Sequence, residues 1–462
     1  MGHQRGIEAR LLSEVLGILS GFEAGLLMPQ REFLTDLTVG IIRAQSCLIS
    51  EVARALLGEQ EPRRPKVLHA LYHRLDEELG KYDLTRPYER AQSLMLSQLD
   101  SSCLFIFDPS DVVKPFAKKL EALSIVRDAS APKRVEKDSK TGKRRKNPVL
   151  KPGYPLRVAV AMNSAKELIP LELSLYSPRE EGFRSSNDEN MQSLETILHQ
   201  TDFQPIVVLD REFDQFTIYR HFCLLRLRFI IRIKKNRKFY LPDEPKSAGQ
   251  RTYFREEILD KSAYLETKAV IEFTRHGVTR SVLCTFRAAR VKLLSEEKRK
   301  ETFRAQGDID ALILVEIKLH KVKGIPRLYL LTSLRPITEK ELQEVGLNYL
   351  ARWNIEEYVR FVKQYFELEK FLVQDLGRMK NLVRAVYVAT TVLHQLTDIK
   401  SMVGLRNQKH LILRAAMVRP EKKNKDFYWY SYARGLANIV SYNRRLFESL
   451  NNRSDDRFKK TA

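Results

Sequence analysis

Cysteine is scarce: Cys47, Cys103, Cys223 and Cys284 stand far apart in 462 residues, with no CxxC spacing. That excludes a disulfide framework and a cysteine-held zinc site, and predicts buried, reduced thiols. No apolar run approaches the roughly 18 residues of a membrane span. The opening MGHQRGIEAR lacks the layout of a secretory signal, so the expectation is a soluble, cytoplasmic protein with no membrane partner. There is no Gly-rich phosphate loop, no HExxH pattern and no internal repeat. Acidic side chains are also short in supply, 58 Asp and Glu against 80 Lys and Arg, for a net charge of +22 and a pI near 9.7. Such an excess predicts a polyanionic partner, most commonly nucleic acid, although a ribosomal or membrane-surface protein would share it.

What is present is ordinary globular material, 43% hydrophobic and long enough for more than one domain. Residues 1 to about 95 read as helices, with apolar residues recurring at three and four in LLSEVLGILSGF and SCLISEVARALLG. SCLISEVARALLG, the proline-bearing 59–66 and VLHALYHRLDEEL together fit a helix-turn-helix or a plain helical bundle. SSCLFIF then reads as a buried strand ending at Asp108, with Asp111 three residues on at a helix start. From Lys114 to Pro155 the chain is basic, with Lys133, Arg134, Lys137, Lys140, Lys143, Arg144, Arg145 and Lys146 around Thr141 and Gly142. This predicts a solvated loop or a phosphate-contacting one.

Strands follow at 156–162 and 170–176, a helix at 190–200, a strand at 205–209 (PIVVL), a helix at 213–225 and a strand at 228–233. PIVVLDREFD places Asp210 at the carboxyl end of its strand, where open α/β sheets gather ligands. Residues 234–337 look β-rich: KAVIEF and SVLCTF flank Arg275, His276 and Gly277, and ALILVEIKL and RLYLLTS flank Gly324 and Pro326, as two hairpins. Thr338 to Glu341 forms a capping box, and Gly346 is expected to break the helix it opens. Residues 376–462 read as further helices with basic ends, including NRRLFESLNNR.

The densest pattern is NYLARWNIEEYVRFVKQYFELEK, Asn348 to Lys370. On one continuous helix, Tyr349, Arg352 and Lys363 fall within roughly 40° of Glu356, while Ile355, Tyr358, Phe361, Val362 and Tyr365 form the opposite, apolar face. A solvated charged stripe is the plain alternative. The spacing Tyr349-(2)-Arg352-(3)-Glu356-(6)-Lys363, with Trp353 and Ile355 beside it, closely resembles the Y-(2)-R-(3)-E-(6)-K signature of bacterial insertion-sequence DDE transposases.

That resemblance implies an α/β fold: a ribonuclease H-like core with a β-rich insertion before the catalytic helix and helical N- and C-terminal regions. The implied division is 1–95, a DNA-binding helical domain; 96–233, the first part of the core; 234–337, the insertion; 338–375, the catalytic helix; and 376–462, the helical C-terminal region. It implies Asp108, Asp210 and Glu356 as catalytic ligands of two Mg²⁺ (or Mn²⁺) ions, and Tyr349, Arg352 and Lys363 as phosphate-binding residues. The family commonly follows its second aspartate with Arg, a small residue and an aromatic. Here Arg211 and Phe213 bracket Glu212, expected to face solvent. Some relatives stack an insertion aromatic on a flipped base. Trp353 and Trp429 lie outside the insertion, and none of Tyr253, Phe254 and Tyr264 is assigned that role.

The chemistry implied is metal-dependent hydrolysis and transesterification of DNA at element ends, by a nucleoid-associated homo-oligomer bound to terminal inverted repeats and target DNA. A metal-dependent DNA nuclease on the same fold, or an inactive DNA-binding relative, is the runner-up.

Overall fold

The computed structural model describes residues 13–57, 65–132, 134–137, 144–242, 252–275, 278–293, 309–322, 327–397 and several positions between 430 and 438. Five helices come first: α1 (13–22), α2 (Met28–Ala44), α3 (Ile49–Leu57), α4 (Pro65–Lys81) and α5 (Thr85–Leu96). The strand β1 (Leu104–Phe107) is apolar throughout and buried at every position, as a strand covered on both faces must be. Next are β2 (Ser110–Val113), β3 (Ser124–Asp128), the separate hairpin β4 (Arg134–Lys137) and β5 (Arg144–Asn147), β6 (Val149–Met162) and β7 (Leu168–Leu175). Then come α6 (Ser186–His199), β8 (Ile206–Leu209), α7 (Phe216–Leu224) and β9 (Arg228–Arg232).

The β-rich region contains a small pair, β10 (Lys238–Phe239) and β11 (Tyr253–Phe254), then α8 (Arg255–Ser262). After it come β12 (Ala263–Arg275), β13 (Val278–Leu293), β14 (Ile309–Leu319) and β15 (Leu328–Thr332). The two expected hairpins form, β12 with β13 and β14 with β15, both antiparallel. Their strands continue the central sheet, because β15 pairs antiparallel with β9. The result is an eleven-stranded sheet in the order β12-β13-β14-β15-β9-β8-β1-β6-β2, with β3 and β7 also on β6. Within it β8 is parallel to both β1 and β9, while β6 runs antiparallel to β1.

Side chains alternate across this sheet as the pleat requires. Phe105, Phe107, Val207, Leu209, Phe229 and Ile231 face the core formed with α6, α7 and α8. Ile106, Val208 and Ile230 face the other, larger core, shared with the N-terminal helices and with α9 (Glu339–Leu350), α10 (Asn354–Tyr365) and α11 (Leu376–Thr397). Asn381 of α11 accepts from the Leu84 backbone N–H and donates to the Leu79 and Tyr82 carbonyls, which ties the α4–α5 connection to the C-terminal helix. At Gly153, where β6 pairs with β2 on one side and β3 on the other, a Cβ would lie 2.2 Å from the Val112 carbonyl oxygen. No side chain fits there without moving backbone.

Several expectations need correction. The basic stretch 114–155 is not one loop: it holds β3, the β4–β5 hairpin and half of β6. Alternating burial along SIVRD shows why: only one apolar residue, Val126, lies on its covered face, between Ser124 and Asp128, so the strand looks like loop in composition. Lys133, Lys140, Thr141, Gly142 and Lys143 lie outside the described residues, as do His276, Gly277, Gly324, Pro326, Trp429 and NRRLFESLNNR. Asp111 sits within β2, not at a helix start.

Gly346 does not break a helix; it lies inside α9, where a Cβ would meet the Phe286 ring at 2.4 Å. It is the point at which α9 approaches β13. The stretch 348–370 is not one helix either. After the capping box at Thr338 and Glu341, α9 ends at Leu350, Ala351–Trp353 forms a tighter 3₁₀ turn, and α10 carries on. With neither Gly nor Pro in that turn, apolar periodicity does not reveal three tightened residues. Among the described residues, no helix is long and apolar enough to cross a membrane.

The cysteines are all unpaired. Cys47, Cys103 and Cys284 are buried and Cys223 half-buried, and burial pushes the Cys47 thiol up to about 12.

Candidate active site

Strand pairing sets the first two carboxylates side by side. Phe107 of β1 and Leu209 of β8 are register partners on parallel strands, and Asp108 and Asp210 are the residues that follow them. The Asp108 backbone N–H donates to the Val158 carbonyl of β6 at 3.1 Å, which anchors the strand exit. Asp210 begins the 3₁₀ turn Arg211–Phe213, whose Phe213 is buried edge-on against Phe107. Glu212 points outward, its side chain 64% exposed, as expected.

The third carboxylate arrives on α10. Glu356 lies in its first turn, and the 3₁₀ turn before it carries Arg352, whose side chain is only 5% exposed. One guanidinium joins the elements: Arg352 Nη1 donates to Asp108 Oδ2 at 2.5 Å and Nη2 to Glu356 Oε1 at 3.4 Å. The Tyr349 hydroxyl, from the last turn of α9, donates to Asp210 Oδ1 at 3.3 Å. Tyr349 is itself buried, and burial keeps its phenol protonated by lifting it above its ordinary range. Thus Tyr349 and Arg352 are not a solvated stripe. They are buried connectors between helix and strand ends.

The electrostatics follow from this crowding. Burial pushes the Asp108 carboxyl up to about 7; Arg352 opposes the rise, and the charges of Asp210, Glu356 and Glu212 add to it. Burial works against the Arg352 charge, yet Asp108, Tyr349, Asp210 and Glu356 together hold its guanidinium above its ordinary range. Arg352 Nε is buried without a hydrogen-bond partner, so the fork is not fully satisfied in this arrangement.

Lys363, two turns on from Glu356, donates to the Asp111 carbonyl and lies 3.2 Å from Glu369 Oε1. Burial raises the Asp111 carboxyl to about 6, with Lys363 pulling the other way. Of the aromatics in the β-rich region, Tyr253 is buried, while Phe254 and Tyr264 are exposed. Trp353 packs edge-on against Phe273 of β12, with ring centroids 5.0 Å apart.

A residue that sequence reasoning missed is Arg232. It ends β9 one position past Ile231, the partner of Leu209, and its Nη1 lies 3.7 Å from Asp210 Oδ1. The signal was available: a cation closing RFIIR, next in the sheet to a strand that closes on Asp210.

The model of the transposase DDE domain family matches residues 105–392, most of the chain. The chain belongs to the DDE transposase family. It is therefore an enzyme that acts on DNA, and the matched span runs from β1 into α11. No curated protein matches the sequence. Among solved structures, the piggyBac transposase synaptic complex with hairpin DNA is similar at 11% identity, covering 94% of this chain and 78% of that one, with a TM-score of 0.40. The Drosophila P element transposase strand transfer complex matches at 10% identity, covering 86% and 93%, with a TM-score of 0.17. The family match carries the assignment.

DDE transposases generally use divalent metal ions. Three carboxylates make a hard oxygen donor set of the kind that Mg²⁺ or Mn²⁺ takes, and Asp108 is raised chiefly by burial, with the charges of Asp210 and Glu356 adding to it. Among the described residues, no three such side chains are close enough to hold one ion. Arg352 stands between two of them as the counter-charge. Carboxylate oxygens suit such ions by type, and in this structure Arg352 supplies the positive charge that Asp108 and Glu356 share.

Proposed function

We propose that Asp108, Asp210 and Glu356 are the carboxylates with which this transposase holds two Mg²⁺ or Mn²⁺ ions to cut element ends and join them to target DNA. One observation carries the reading: two aspartates leave register-paired strand ends, and the guanidinium that binds the first also binds Glu356. When bound, the ions supply charge compensation to the attacking and leaving oxygens. Were that charge present, Asp108 and Glu356 would no longer need Arg352, and its fork would be free to grip a phosphate bidentately. Tyr349 orients Asp210 through its hydroxyl, and Lys363 adds a point charge farther along α10.

In cleavage, a water oxygen bonds to phosphorus and gives up a proton to solvent, the bond from phosphorus to the 3′ oxygen breaks, and that oxygen takes up a proton from solvent to become a 3′-hydroxyl. In joining, that hydroxyl loses its proton to solvent as its oxygen bonds to a target-strand phosphorus, and the target's own 3′ oxygen leaves and takes up a proton. Each step exchanges one P–O bond for another.

The strand order β9-β8-β1-β6-β7, with β6 antiparallel and α6 and α7 between strands, supports a ribonuclease H-like core over 96–233, completed by 338–375. In this reading 234–337 is the insertion, 376–462 the helical C-terminal region, and the helices of 1–95 bind the terminal repeats. In the same reading, the Tyr349, Arg352, Glu356, Lys363 spacing supports membership of the Y-(2)-R-(3)-E-(6)-K group, and a homo-oligomer assembles on DNA.

The test is the purified protein on DNA carrying the inverted repeats that flank its gene. With Mg²⁺ it should nick at the repeat and give a strand-joined product, and Glu356→Gln should give neither while still binding. Cleavage by Glu356→Gln at the wild-type rate would overturn the assignment.

A further inference from the structure

Beside Asp210 lies a cleft of about 560 Å³. Six cations line it, Arg211, Arg232, Lys234, Lys235, Arg255 and Arg327, against two carboxylates, Glu212 and Glu256. Arg232 belongs to both places, since it lines the cleft and lies 3.7 Å from Asp210. The cleft and the surroundings of Asp210 therefore share one side chain.

Two buried carboxylates behind the wall build it. Asp214, with no exposed side-chain surface, accepts from the Lys234 backbone N–H at 2.6 Å, from Arg237 Nε at 2.9 Å and from the Tyr219 hydroxyl at 2.9 Å. It pins the segment after β9 that carries Lys234 and Lys235. Glu316 of β14, its side chain 2% exposed, binds Arg287 at 2.6 Å, Arg327 at 3.1 Å and the Tyr329 hydroxyl at 3.1 Å. That fixes Arg327 on the opposite wall, where Arg255 also lies over the Tyr329 ring, 4.0 Å from its centroid. A carboxylate withdrawn from water is costly unless paired, so both walls are held in place before any ligand arrives.

Arg232, Arg255 and Arg327 each have a carboxylate partner, Asp210, Glu256 and Glu316, and Lys234 donates to the Asp214 carbonyl. Arg211 and Lys235 are exposed and have no carboxylate partner among the described residues. A concave surface with surplus positive charge focuses anions, and the fork of Arg211 suits phosphate oxygens.

We propose that this cleft is a second phosphate subsite, holding successive phosphodiesters of the DNA strand that runs away from the Asp210 side of the carboxylate cluster. The proposal rests on the reading of Asp108, Asp210 and Glu356 as the reacting centre and adds where the strand goes next. A DNA strand, not a free nucleotide, is the occupant because Arg232 both lines the cleft and lies 3.7 Å from Asp210 of that centre.

The experiment measures binding of the full chain to a labelled duplex carrying the inverted repeat, across a salt series. The Arg211→Gln/Lys235→Gln double variant should lower the magnitude of the salt slope by about two units, near 0.9 per lost phosphate contact. Lys118→Gln/Lys119→Gln removes the same charge from an exposed segment outside the cleft and should leave the slope at the wild-type value. A wild-type slope in the cleft variant overturns the subsite. So does an equal loss in both double variants, which would mean bulk charge alone. Glu356→Gln, run in parallel, should keep the slope and lose cleavage. If it still cleaves, the reading of the centre fails while the slope comparison stands.

Discussion

Phe107 and Leu209 are Cα partners on adjacent parallel strands, and each is followed by an aspartate. Pairing at the last residue of both strands is what places Asp108 and Asp210 on one edge of the sheet. A register slip of one residue would turn one aspartate toward the other face. From that edge, a single arginine reaches a helix carrying Glu356.

Replacing Asp210 by Asn should lower Mg²⁺-dependent cleavage by about a hundredfold or more while DNA affinity stays close to wild type, because binding draws on dispersed phosphate contacts. Chelating the divalent ions with EDTA should have the same effect on the wild-type enzyme. Gel assays of nicking beside anisotropy measurements of binding check both. Full cleavage by Asp210→Asn, or by the chelated enzyme, would remove the carboxylate assignment.

Gly346→Ala should destabilise the protein by about 1–3 kcal/mol through overpacking, since the new methyl would sit 2.4 Å from the Phe286 ring. The double variant Gly346→Ala/Phe286→Leu should recover part of that loss, because the ring is the obstacle. Urea unfolding of both reads the coupling. Strict additivity would show that α9 does not approach β13 as described.

Asp214→Ala leaves the mostly buried Arg237 and the Tyr219 hydroxyl without their carboxylate. The expected cost is about 3–5 kcal/mol, as for breaking other buried pairs, seen as a lower urea midpoint. An unchanged midpoint would show that the segment after β9 is held by something else.

Lys114 is buried; its ammonium donates to the Glu369 and Phe371 carbonyls at 2.7 Å and lies 3.4 Å from the Phe371 ring centroid. Burial lowers its pKa from 10.5 to about 8. Between those values the unfolded chain holds a proton that the folded chain has released, so this group's contribution makes stability rise with pH from 8 to 10.5. Lys114→Met should remove that rise, amounting to roughly 3 kcal/mol. Unfolding free energies of both proteins across this window are the measurement. Parallel pH profiles would show that the hydrogen bonds to the carbonyls keep the lysine charged.

Much of the fold was legible because its elements are defined by local chemistry. The buried runs LFIF, IVVL and RFIIR became β1, β8 and β9, and Thr338 and Glu341 formed their capping box. The polar strands were not legible. SDVV and SIVRD are stabilised by pairing with β6 rather than by a hydrophobic pattern of their own. The break at Ala351–Trp353 was hidden for a related reason: its residues are ordinary helix formers, and Trp353 packs against Phe273, far away in sequence.

The amino-acid sequence by itself determined the family signature, the four residues Tyr349, Arg352, Glu356 and Lys363 at their intervals, and the two aspartates closing apolar strands. These depend on residue type and spacing along one chain, which the sequence states directly. Only the tertiary structure decided that Arg352 is a buried bridge rather than a surface charge, that Lys363 turns to Asp111, and that Arg232 closes on Asp210. Each of these joins residues far apart in the chain, and which charges meet is set by strand register and helix packing rather than by local spacing.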